Sequence, residues 1–349
     1  MKKNIAVLFG GKSSEYEVSL SSAYALLTNI NEEKYNIYKI AITKDGKWYL
    51  FDGDNDAVRR DAYLTEGTVS PVLFSPDNGA GKIYVCGDGE PQEIHIDAVF
   101  PMLHGRYGED GQVQGMFSVM GIPVVGCGCA SSAASMDKAM TKAIIRETGI
   151  RQARAVVLRS GDDIDAAVRE AEGALGYPMF VKPACSGSSV GVSKAKDREG
   201  LLRAIETAFR EDGKLLVEEA VNGIEAEVAV LEEHGRYTVS VPAEIDSGSS
   251  EFYDYETKYV SDASSFYIPA RISEDKIAEV RGYAERIFRA LDCRGLSRVD
   301  FFLTPEGEFV FNEINTIPGF TPISMYPKLM MHEGIGYGEL IDRLIDSAR

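Results

Sequence analysis

Apolar residues recur along the chain in two rhythms, and each predicts a different element. NIAVLFGG (4–11) is an apolar run closed by two glycines and reads as a buried first strand. From Glu15 to Ile30 the apolar positions Val18, Ala25, Leu26 and Ile30 mark a helix. NIYKIAIT (36–43) is the next strand, and a variable region follows to about residue 93. IDAVFPMLHG (96–105) is a strand running into a loop, and GIPVVGC (121–127) is a short strand. Strands alternating with helices predict a doubly wound parallel sheet.

Residues 131–149 predict one helix, with serine at its start and Gly149 past its end. Two α+β segments follow. The first holds RAVVL, MFVKPA and LLVEEAV around a helix near Asp163 to Leu175. The second holds EAEVAVL, the helix SEDKIAEVRGYAERIFRALDCRG and a C-terminal hairpin. The predicted division is 1–127, 128–221 and 222–349. Inside the last part, 246–265 is a long polar, tyrosine-bearing segment, of a length that belongs to lids or to disorder.

The hairpin RVDFFLTPEGEFVFNEINT (298–316) raises the question of chemistry. Pro305 and Gly307 suit its turn. Glu313 and Asn315 are two apart on a strand and share a face, and folding back brings Asp300 opposite the Phe311 to Glu313 region. Three oxygen ligands converging among phenylalanines suit Mg²⁺ better than a solvated edge.

VKPACSGSSVGVSKA (181–195) is strand, Gly/Ser loop, strand. Its backbone N–H groups, with Ser188 and Ser189, can cradle phosphate, and Lys182 adds a point charge. No G-K-[ST] ends the loop, so it is not a Walker A motif. Glu218 and Glu219 stand near the end of a strand and are equally consistent with nucleotide contact or solvation. A lone helix lysine such as Lys138 is ordinarily a surface residue. Glu15 is either a cation-binding carboxylate at the sheet edge or a first-turn acid favoured by the helix dipole. His104 lies in a glycine-rich loop after a strand, a usual place for a ligand contact.

Bulk numbers narrow the class. The 349 residues are 44% hydrophobic and 26% charged, with 54 acids against 37 bases and a net charge of −17. That balance disfavours nucleic acid or an anionic membrane as the main partner. The apolar stretch after Lys2-Lys3 is only Ile5 to Phe9, too short for a signal peptide, and no run approaches the roughly 20 residues of a membrane span. Five scattered cysteines suggest reduced thiols and a cytoplasmic protein; Cys127-x-Cys129 lacks a second ligand pair for zinc.

Taken together, GGKSSEYEVSL, LHGRYGEDGQVQG, MDK, FVKPACSGSSVGVSK, EFYDYETKY, LSRVDFF and NEINTIPGFTPISMYP occur in an order that resembles the D-alanine–D-alanine ligases of the ATP-grasp superfamily along nearly the whole chain. The resemblance implies a Rossmann-like N-terminal domain followed by a two-lobed ATP-grasp fold. It implies that Asp300, Glu313 and Asn315 hold Mg²⁺ or Mn²⁺, two ions, and that ATP is co-substrate. Lys138, Lys182 and Lys258 would meet ATP phosphates, Glu218 with the backbone from Glu219 to Val221 the adenine, and Glu225 the ribose. Glu15 would bind the first D-alanine ammonium, Arg298 and the Gly319 N–H the reacting carboxyl, and Ser324 with Met325 the second substrate. Segment 246–265 would be the family's mobile loop, with Tyr259 linked through Ser188 toward Glu15. A homodimer is implied by family alone.

Substrate choice turns on Tyr253, Tyr259 and Met325. Tyr259 stands where lactate-forming relatives carry histidine, and apolar Met325 stands where serine-forming relatives often carry a basic residue. D-alanine is therefore expected, with D-alanine–D-serine ligation as the alternative. Cys185, in the phosphate loop, departs from the family pattern and raises the prospect of oxidation or alkylation that impairs ATP binding.

Overall fold

The computed structural model describes residues 2–188, 190–246 and 265–349. The N-terminal region runs β1 (Lys3–Gly10), α1 (Tyr16–Asn29), β2 (Tyr35–Ile42), β3 (Trp48–Gly53), α2 (Asn55–Arg59), β4 (Gly67–Phe74), β5 (Lys82–Val85), β6 (Gln92–His95), β7 (Ala98–Pro101) and α3 (Gln112–Met120). Its seven-stranded sheet has the order β6-β5-β4-β3-β2-β1-β7. Only β2-β1-β7 is parallel, and this is where the expected apolar runs fall. The stretch without a clear pattern supplies the antiparallel extension β3 to β6. GIPVVGC forms a single bridge, Val99 to Val124, rather than a strand.

The helix expected over 131–149 is two helices, α4 (Cys129–Met136) and α5 (Lys138–Arg146). Asp137 breaks it: its backbone is extended and its carboxylate accepts from the Ala139 and Met140 N–H groups, capping α5 afresh. The cap also swings Lys138 to the head of a new helix.

The second sheet combines β8 (Ala155–Arg159), β9 (Met179–Pro183), β10 (Ser193–Ala195) and β11 (Lys214–Glu219) in the antiparallel order β10-β9-β11-β8. Helices α6 (Ile164–Ala174) and α7 (Arg198–Glu211) cover one face, packing Val168, Ala171, Leu201 and Ile205 onto Leu158, Val181 and Val217.

The third sheet contains β12 (Ile224–Glu233), β13 (Arg236–Val239), β14 (Ala243–Asp246), β15 (Ser265–Tyr267), β16 (Gly295–Leu303) and β17 (Phe309–Asn315). Helix α8 (Glu274–Ala290) packs Val280, Ala284, Ile287 and Phe288 against Val228, Val230, Val299, Phe301, Phe309 and Phe311. On the opposite face Ala229, Leu231 and Leu296 join the core shared with the N-terminal sheet, α9 (Met325–His332) and α10 (Tyr337–Asp346). Period-two alternation therefore aims Glu225 and Glu227 of β12, and Arg298 and Asp300 of β16, away from α8.

On β17 that parity changes midway. Phe309 and Phe311 face α8, but so does Ile314. A register shift between Asp300 and Phe301 leaves Asn312 as an extra residue on β17. Without this bulge Glu313 and Asn315 would share the face of Phe311 and lie in the apolar core. With it they stand on the face of Arg298 and Asp300. Among the described residues no helix is long and apolar enough to cross a membrane.

Candidate active site

The hairpin register matches the expected geometry: Asp300 pairs with Glu313 and Arg298 with Asn315. Asp300 is fully buried, and both its oxygens accept from Arg298, at 2.8 and 2.7 Å. The Asn315 amide donates to Asp300 Oδ2 at 3.0 Å. Two carboxylates and an amide thus meet on one face, a hard-oxygen donor set once the amide turns its Oδ1 inward. Among the described residues no group of three His, Cys, Asp or Glu side chains is arranged for a metal, Cys127 and Cys129 included. The sequence reading overlooked Glu227. It sits beside Asp300 in register on β12, is buried, and lies 3.2 Å from Arg298 Nε. Its signal was present: an acid two residues from Glu225 on an otherwise apolar strand.

Glu15 is buried at the head of α1, yet its carboxylate makes no capping bond to the helix. It accepts from the Ser188 hydroxyl instead, a partner 173 residues away in sequence. Gly105 and Gly187 make room for it: a Cβ on either would lie 2.3 or 2.5 Å from Glu15 Oε2. Ser188 itself has φ +47°, a backbone strained for a side-chain-bearing residue.

His104 is a buried structural clamp. Its Nδ1 meets the Ile317 carbonyl and its Nε2 the Ser22 hydroxyl, both at 2.9 Å. Burial drives its pKa down to about 4, so the ring is neutral. Glu109, in the stretch LHGRYGEDGQVQG, accepts from Gly105 N–H at 2.8 Å and Ile317 N–H at 3.0 Å. Burial first, and the Glu15 charge second, push this carboxyl up to about 8. The Ser22 hydroxyl takes the Phe320 N–H at 3.3 Å, and Tyr337 donates to the Phe320 carbonyl. The loop carrying Gly319 is thus held from several sides. Ser324 accepts from Thr321 N–H at 3.1 Å just before α9, and Met325 opens that helix.

On the other side, Lys138 donates from Nζ to the Ser186 carbonyl at 2.6 Å. Lys182 is half-buried, 2.8 Å from Glu218 Oε2 and 3.4 Å from Asn312 Oδ1. Burial pulls its ammonium down, but the Glu218 charge, the hydrogen bond to Glu218 and the charges of Glu313 and Glu225 together leave it above the ordinary lysine value. Glu218, for its part, is raised by burial and lowered further by Lys182 and Lys142, to about 2. Glu219 points to the other face of β11 and binds Arg154 at 2.6 Å. Val221 follows the strand, half-buried, and Glu225 lies on the cleft face of β12. Cys185 donates its N–H to Asp212 at 2.8 Å; desolvation, Asp137 and Asp212 push its thiol up to about 11, so it is a poor nucleophile at neutral pH. Ser189, Tyr253, Lys258 and Tyr259 lie outside the described residues, as does 246–265 apart from its two end positions.

A cavity of about 680 Å³ gathers Glu15, His104, Lys138, Ser188, Arg298, Glu313, Asn315, Gly319, Ser324 and Met325 from all three sheets. Lys182, Glu218, Glu219, Val221, Glu225 and Asp300 do not line it. The D-ala D-ala ligase N-terminus model matches residues 4–127 and the D-ala D-ala ligase C-terminus model residues 144–346. The chain belongs to the D-alanine–D-alanine ligase family. It is 47% identical to the D-alanine–D-alanine ligase of Caldicellulosiruptor bescii, covering 99% of this chain and 95% of that protein. The Acetivibrio thermocellus D-alanine–D-alanine ligase is 45% identical over 99% and 96%. Among solved structures, the VanG D-Ala:D-Ser ligase of Enterococcus faecalis superposes with TM-score 0.91 at 42% identity, over 99% of both chains. The Coxiella burnetii D-alanine–D-alanine ligase gives 0.86 at 33% identity, over 99% of this chain and 93% of that one. The chain is accordingly an enzyme, a ligase with the ATP-grasp fold and ATP as co-substrate.

Proposed function

We propose that the enzyme joins two D-alanine molecules through a D-alanyl phosphate, with residues 1–127 carrying the first amino-acid site and lobes 128–221 and 222–349 enclosing ATP. The reading is carried by one convergence: Glu15, held by Ser188, and Arg298 with Gly319 line the same cavity. A carboxylate fits an ammonium, and a guanidinium with a backbone N–H fits a carboxyl group that develops negative charge.

In this reading Glu15 anchors the ammonium of the first D-alanine, and the D-alanine carboxylate attacks the γ-phosphorus of ATP, breaking the bond to the β-phosphate and releasing ADP. Lys138, Lys182 and Lys258 neutralise the phosphates, Ser189 adds a hydroxyl donor, Glu218 with the backbone from Glu219 to Val221 meets adenine, and Glu225 meets the ribose. The amine of a second D-alanine, placed by Ser324 and Met325, then attacks the acyl carbon, and collapse of the tetrahedral intermediate expels inorganic phosphate as the amine loses its proton. Arg298 and the Gly319 N–H hold the oxyanion, and His104 keeps the Gly319 loop in place. Tyr259 and the 246–265 segment exclude water from the acyl phosphate.

Asp300, Glu313 and Asn315 fit a hard divalent cation, Mg²⁺ or Mn²⁺, with two ions in the working enzyme. Such ions neutralise phosphate charge during phosphoryl transfer. The enzyme acts in the cytoplasm as a homodimer, a reading supported by family likeness and by the scattered, unpaired cysteines.

The likeness to VanG favours one second reading, D-alanine–D-serine ligation. Met325 argues against it, since a thioether offers a serine hydroxyl little; yet a hydroxyl-sized difference in an apolar pocket is worth only about 1–3 kcal/mol. ADP release with Mg²⁺-ATP and D-alanine, D-serine or D-lactate, singly and paired, separates the cases. Turnover with D-alanine alone, yielding dipeptide, supports the first reading. Turnover that rises only when D-serine joins D-alanine supports the second.

A further inference from the structure

Lys142 lies one helical turn after Lys138 on α5, so the two share a helix face. Where Lys138 reaches the Ser186 carbonyl, Lys142 turns inward and is buried. Its Nζ is 2.9 Å from Glu218 Oε1 and 2.9 Å from the Ala153 carbonyl. Glu218 gives its other oxygen to Lys182 at 2.8 Å. A single buried carboxylate is therefore shared between a buried and a half-buried ammonium group, and the triad carries one net positive charge.

Burying a second lysine is costly, and one Glu–Lys pair would already satisfy Glu218. The extra charge has a use if the site must hold an anion. Lys182 also feels the charges of Glu313 and Glu225. With no other cation on Glu218, that carboxylate would collapse onto Lys182 and cancel its field. We propose that Lys142 is a positioning residue that shares Glu218 with Lys182, leaving Lys182 net positive toward the triphosphate. The inference rests on the reading that Lys182 meets ATP phosphates.

The test is calorimetric titration of the full chain with Mg²⁺-ATP and, separately, with adenosine, in the absence of amino acid. Lys142→Met is expected to lower the ratio of ATP to adenosine affinity by about tenfold or more, as loss of a unit charge in a low-dielectric cleft requires. Lys142→Arg is expected to keep most of that ratio, and the KM for D-alanine is expected to hold in both. The double variant Lys142→Met/Glu218→Gln restores one net positive charge and is expected to regain the ratio relative to Lys142→Met. Since the double variant also removes the charge left without its second partner, it remains informative if Lys142→Met folds poorly. An unchanged ratio in Lys142→Met, or no recovery in the double variant, overturns the inference. A Lys182→Met variant that binds Mg²⁺-ATP as the parent does would instead remove the phosphate reading itself.

Discussion

Gly187→Ala isolates the first amino-acid site from the rest of the enzyme. The new Cβ would stand 2.5 Å from Glu15 Oε2 and 3.2 Å from Glu15 Cδ. An ordinary contact begins near 3.4 Å, so the carboxylate must retreat by about 0.9 Å. Gly105 also lies against this oxygen, its own Cβ position being 2.3 Å from it. Glu15 must therefore leave both its place and the Ser188 hydroxyl. The main chain at Gly187 is outside the left-handed region, so alanine is allowed there and the fold should hold. Misplacing a binding group by about 1 Å costs on the order of 10²-fold, or about 2.7 kcal/mol of transition-state stabilisation. Coupled ADP release against D-alanine concentration should show kcat/KM for D-alanine down by roughly that factor. The KM for ATP should stay within about threefold, which is under 1 kcal/mol. A D-alanine kcat/KM equal to the parent's would refute the reasoning, as would an ATP KM that rises in step with the loss.

Three further outcomes follow from the geometry. Glu227→Gln weakens the hold on Arg298 at 3.2 Å and should lower kcat by about tenfold while leaving Mn²⁺ binding, followed by electron paramagnetic resonance, unchanged; a parallel loss of Mn²⁺ affinity would make Glu227 a ligand instead. Glu313→Gln should weaken Mn²⁺ binding by more than the roughly tenfold expected of an outer partner. His104 has its pKa lowered from 6.5 to about 4, so below pH 6.5 the unfolded chain takes up a proton that the native ring refuses. Its contribution is present above that value and is lost as pH falls toward 4, amounting to about 3 kcal/mol. His104→Gln should remove this part of the acid sensitivity in urea unfolding; an equal fall with pH in both proteins would contradict the assignment.

Much of the site was legible because it depends on local spacing. Strand alternation put Glu313 and Asn315 on one face, and the Pro305–Gly307 turn set their distance from Asp300. What spacing could not show is why that face is the cleft. The bulge at Asn312 switches the parity of β17, and a bulge leaves no mark in a polar-apolar pattern. Asp137 hid in the same way: a helical pattern ran through it, while its side chain was recruited as a cap. Lys142, Glu109 and Glu227 were missed because their roles come from partners distant in sequence. The antiparallel extension β3–β6 escaped for a related reason, since most positions of these strands are half-buried or exposed and no clean alternation marks them.

Catalysis in the proposed reading rests on a carboxylate activated by phosphorylation in the cavity lined by Glu15 and Arg298. D-alanine labelled with ¹⁸O in both carboxyl oxygens, incubated with the enzyme and Mg²⁺-ATP, tests this directly by mass spectrometry of the released phosphate. One ¹⁸O per phosphate, appearing with one dipeptide per ADP, is the expected result. Dipeptide formed with unlabelled phosphate would mean that the carboxylate never attacks phosphorus, and the proposed chemistry would be wrong.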